Sequence, residues 1–71
     1  MSGVQGKLRT LFDYWIEHNR EHEQEFRDWA GKATSLGEVA QQLEEAAEHM
    51  ADATNCLEKA RQSLMKSEEG H

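Results

Sequence analysis

His18 and His22 stand four residues apart in the middle of the first long amphipathic stretch of this chain. On a helix that spacing puts two imidazoles on one face, a chelating arrangement for a divalent cation. The intervening step is H-N-R-E-H, so the H-E-x-x-H zinc-protease motif is absent. The histidines also continue a stripe of steps of three and four: Leu8, Leu11, Trp15, His18, His22, Phe26 (or Glu25) and Trp29. That rhythm belongs to a helix packed along its length, so the stripe is expected to face a core. Polar rings in such positions need partners or cost stability.

If the chain folds back around residues 33 to 34, His18 comes across from His49 and His22 across from Glu45. Glu45 and His49 are again four apart. His18, His22, His49 and Glu45 then form a rectangle with two corners on each helix, a donor set suited to Zn(II), Ni(II) or Fe(II). The Glu-x-x-His pairs of di-iron bundles are missing, because Trp15, Asn19 and Ala46 stand three before the three histidines. Glu17, Glu21, Glu25 and Glu48 lie a turn or less from an imidazole and can orient it. Two other readings fit the same residues. One is a buried His/Glu hydrogen-bond network that fixes helix register. The other is an interface that protonation disrupts.

Other candidates are weaker. Cys56 lies seven residues after His49 and can serve as a soft ligand or as a small core hydrophobe. Phe12, Trp15, Phe26 and Trp29 have the spacing of core residues. No glycine-rich phosphate loop occurs, and no nucleophilic triad can be read, so no reaction is assigned.

Two helices must position these groups. The chain contains no proline. The first helix is expected over about residues 5–30, a stretch rich in Glu, Arg, Gln and Leu. The break falls at 31–35, with Gly31 able to take a left-handed C-cap. Ser35 and Glu38 have capping-box spacing for a second helix over about 36–66. Its stripe is Leu36, Val39 (with Ala40), Leu43, Ala46, Met50, Ala53, Leu57, Ala60 and Leu64. A frayed tail is expected at 67–71. The fold class is therefore all-α, a single antiparallel two-helix hairpin over 1–71. Phe12, Ile16 and Phe26 give the first helix apolar surface on a second side, more than one partner helix covers. A symmetric homodimer forming a four-helix bundle follows.

Composition narrows the partners. The 71 residues carry 14 acidic and 8 basic side chains, a formal net charge of −6. Nucleic acid and anionic membrane surfaces repel such a chain, whereas cations and basic surfaces attract it. A single cysteine and no apolar leader or membrane-length run suggest a cytoplasmic setting.

The segment Tyr14-Trp15-Ile16-Glu17-His18-Asn19, followed by His22, Phe26, Trp29 and Ala30, resembles a family of small helical domains. That family carries an H-W-I-E-H-N core ahead of a Glu/Ala/Leu-rich helix. Its domains are similar to ones attached to, or found beside, nickel-binding accessory proteins of carbon monoxide dehydrogenase maturation. The resemblance implies metal handling alongside a metalloenzyme maturation protein. Tyr14 departs from the pattern, which has histidine there. The functional expectation is a non-catalytic metal-binding or trafficking module for Ni or Zn. Its rival is a structural or protein-interaction module with hydrogen-bonded core histidines.

Overall fold

The computed structural model of the chain describes residues 3–69. Two long helices, α1 (Gly3–Lys32) and α2 (Gly37–Glu69), run antiparallel and are joined by one 3-10 turn at Thr34–Leu36. The hairpin is a rod of 55 × 15 × 12 Å. α1 extends past both expected ends, and α2 starts one residue later than expected but continues helically beyond residue 66 where fraying was expected. Residues 70–71 of that expected tail lie outside the described residues. Side-chain pairs one turn apart support α1: Arg27 to Glu23 at 3.1 Å and Gln24 to Asp28 at 2.9 Å.

The reversal differs in detail from the sequence expectation. Gly31 stays inside α1, and the N–H of Ala33 bonds back to the carbonyls of Trp29 and Ala30. Leu36 N–H then bonds to the Ala33 carbonyl at 2.8 Å. Gly37, with φ of 22°, is the positive-φ residue of the turn among the described residues. A side chain is strained there, so glycine is required at 37 rather than at 31.

The helices pack through a face rotated by about one residue from the expected stripes. On α1 the inward positions are Leu8, Phe12, Ile16, Asn19, Glu23 and Ala30, with Phe12, Ile16 and Ala30 buried, and half-buried Phe26 stands at the border between this face and the next. On α2 the buried positions are Ala47 and Thr54, flanked by half-buried Leu43, Met50, Ala51 and Leu57. Ala47 lies level with the Phe26 end of α1 and Thr54 nearer Ile16, and neither small side chain offers a partner for an imidazole. The Thr54 hydroxyl is satisfied by donating to the Met50 carbonyl at 2.9 Å.

Charged residues edge this seam. Arg27 joins Glu23 to Glu44, Arg61 reaches Asp13 at 2.8 Å, and Arg20 pairs with Glu58. The three pairs that cross between the helices, Arg27–Glu44, Arg61–Asp13 and Arg20–Glu58, mark the register. In each, the α2 member lies at least four positions further along than a turn centred at 33 to 34 would place it. The histidine-bearing stripe is thus turned out of the core: Leu11, His18 and Trp29 are exposed, and Trp15 and His22 are half-buried.

Candidate functional site

The outward face of α1 carries a ladder of rings one turn apart. Tyr14 stacks on His18, with centroids 5.3 Å apart and planes inclined by 13°. His18 and His22 meet edge-on at 4.4 Å and 89°. His22 then stacks on Phe26 at 5.8 Å and 22°. The four side chains at 14, 18, 22 and 26 meet because helical side chains separated by four residues lie over one another.

At the centre of the ladder the Nε2 atoms of His18 and His22 are 3.0 Å apart. On its other side, His22 Nδ1 lies 3.3 Å from Glu25 Oε1. An ionised carboxylate only accepts, so His22 donates through Nδ1–H and its Nε2 is left with a lone pair. Metal-free, His18 Nε2–H can donate into that lone pair. When both Nε2 atoms are unprotonated, each carries a lone pair within reach of one shared cation. With metal–nitrogen bonds of about 2.0–2.1 Å, a 3.0 Å separation subtends an angle of about 94°. That bite suits two adjacent positions of a square-planar or octahedral site. It is about 0.3 Å short of the tetrahedral spacing. A carboxylate bonded to the far nitrogen of a ligating histidine fixes its tautomer and raises its basicity.

The other expected ligands stand elsewhere. His49 and Glu45 are both exposed on α2. Among the described residues no group of three or more His, Cys, Asp or Glu can hold a metal ion, so the four-cornered set does not assemble within one chain. Cys56 is exposed, which removes its reading as a core hydrophobe. Of the four carboxylates near the imidazoles, Glu25 is the one bonded to a histidine. Tyr14 joins the site as a ring against His18, a role that spacing alone could have suggested because it lies four residues before it.

Beyond the ladder, at the closed end of the hairpin, lies an open apolar cleft of about 660 Å³. Phe26, Trp29, Lys32, Leu36, Val39 and Leu43 line it, and the Lys32 ammonium sits 4.6 Å from the Trp29 ring centre. Phe26 and Trp29 of the ring-bearing face of α1 and Val39 and Leu43 of α2 therefore border the same side of the hairpin. No described helix is long and apolar enough to cross a membrane.

The chain belongs to the family described as a domain of unknown function, DUF8180, whose model matches residues 8–64. An uncharacterized protein of Archaeoglobus fulgidus is 40% identical over 55 residues, covering 76% of this chain and 89% of the relative. No solved structure matches the chain.

Proposed function

We propose that this chain is a non-catalytic accessory module that binds a divalent transition metal, Ni(II) or Zn(II), through Nε2 of His18 and His22. The observation that carries the reading is their 3.0 Å approach, with Glu25 bonded behind His22. Imidazole nitrogen suits these ions, and two ligands on an exposed helix hold an ion exchangeably. Exchange is what a carrier needs, and a net charge of −6 raises the local concentration of cations. The partner this role implies is a metalloenzyme maturation protein that receives or delivers the ion.

Calorimetric titration of Ni(II) and Zn(II) tests it. Wild type and His49→Ala should bind alike, and His18→Ala and His22→Ala should lose the site. Equal binding in wild type and His22→Ala contradicts the reading.

The apolar cleft supports a second reading, a structural or protein-interaction module. Trp29, Leu36 and Val39 are 55%, 59% and 48% exposed there, a cluster of apolar surface such as partner helices cover. Melting with and without chelator separates the two. Metal bound to the native state raises the melting temperature, and a pure packing module is indifferent to chelation.

A further inference from the structure

We propose that the ring-ladder face pairs with the same face of a second copy, antiparallel, and that the two-fold axis gathers His18 and His22 of both copies into one four-imidazole cation site. This rests on the cation-binding reading above and names what completes the site.

The ladder is symmetric about its own centre. Outward along α1 stand Leu11, Tyr14, His18, His22, Phe26 and Trp29, with steps of three, four, four, four and three. The midpoint is position 20. An antiparallel copy with its axis there sets Leu11 against the partner's Trp29, Tyr14 against the partner's Phe26, and His18 against the partner's His22. Apolar meets apolar and imidazole meets imidazole in one register. Self-complementarity of that kind is what a two-fold interface demands.

The second helix repeats the symmetry independently. Ala46, Ala53 and Ala60 recur at steps of seven on the outer edge of α2, with Ala53 and Ala60 exposed and Ala46 half-buried. Their midpoint is Ala53. Small side chains at heptad spacing allow close helix approach. The two midpoints are also level with each other. Three ion pairs that cross the hairpin, Asp13–Arg61, Arg20–Glu58 and Arg27–Glu44, average to position 20 on α1 and about position 54 on α2, within about one residue of Ala53. One axis crossing the rod therefore serves both helices. It sets Ala53 against the partner's Ala53 and Ala46 against the partner's Ala60.

Size and charge agree. A face of 55 × 15 Å offers about 800 Å² per copy, the area of a standard stable interface. Two chains of net charge −6 repel, and four neutral imidazoles do nothing to relieve that repulsion. A divalent cation on the axis offsets it and fills out the coordination that one chain leaves half made. Metal binding and self-association are thereby linked.

Sedimentation of the full chain with Zn(II) and with chelator, together with metal stoichiometry, tests the proposal. The expected result is a zinc-loaded dimer with one ion per two chains, and self-association at least about tenfold weaker after chelation. Cross-linking reads the register in a Cys56→Ser background. Ala53→Cys should form a disulfide dimer with itself. Ala46→Cys should cross-link with Ala60→Cys in a mixture, and neither should do so alone. A monomer with one zinc per chain overturns the shared site and leaves the cation-binding reading standing. Absence of zinc binding overturns both. Self-cross-linking of Ala46→Cys without that of Ala53→Cys overturns the register.

Discussion

Glu25 accepts the Nδ1–H of His22 and so determines which nitrogen of that ring keeps a free lone pair. The lone pair is on Nε2, 3.0 Å from Nε2 of His18. A carboxylate one turn away thus aims one imidazole at another. Glu25→Gln replaces an obligatory acceptor with an amide that can also donate. The tautomer is then no longer fixed, and Ni(II) affinity should fall by about tenfold, the lower end of what loss of such a supporting group costs. Glu21→Gln, titrated in parallel, should leave the affinity unchanged.

Opposite outcomes are expected at the two central glycines. Gly37 has φ of 22°, so Gly37→Ala should destabilise the hairpin by about 1 kcal/mol or more. Gly31 is helical, and a Cβ added there meets nothing within 4 Å. Gly31→Ala should therefore stabilise by about 0.4–1 kcal/mol. Urea unfolding of both variants checks the signs. A Gly31→Ala loss would restore Gly31 as the left-handed cap that its position before the break suggested.

The core assignment separates neighbouring residues on α1. Ile16 is 2% exposed against α2, and Ile16→Ala should cost about 2–5 kcal/mol. His18 is exposed, and His18→Ala should fall within about 0.5 kcal/mol of wild type in metal-free buffer. Comparable losses at the two sites would mean that the imidazole stripe, and not the Phe12/Ile16 stripe, faces α2.

Arg27 spans Glu23 and Glu44 at 3.1 and 3.3 Å while partly solvated. Arg27→Gln should cost under about 1 kcal/mol at low salt. The difference from wild type should shrink toward zero in about 1 M sodium chloride, where screening is nearly complete. A salt-independent loss would assign the effect to packing of the arginine stem.

Much of this was legible in residue types and spacing. The proline-free Glu/Leu/Ala stretches and one glycine-bracketed break suffice for the hairpin. The His18/His22 pair follows from a four-residue step on a helix, which holds wherever the helix is placed. The facing of the seam did not follow. Leu11/Trp15 and Phe12/Ile16 are both apolar stripes on α1, about 100° apart, and periodicity favours neither. What chooses is complementarity with α2, where the Ala47/Thr54 stripe buries against the Phe12/Ile16/Ala30 stripe and Arg61 and Glu44 meet Asp13 and Arg27. The same choice turned the histidines outward and left His49 and Glu45 out of their reach. A register estimated from the turn alone was displaced by a turn or more, enough to pair the wrong side chains.

Long-range proton–nitrogen correlation of the imidazoles during a Zn(II) titration tests the central claim most directly. The account predicts that Nε2 of His18 and of His22 shift together and saturate together. His22 Nδ1 should keep its proton, and His49 should not move. Unmoved His18 and His22 resonances, or shifts of His49 as large as theirs, would contradict it.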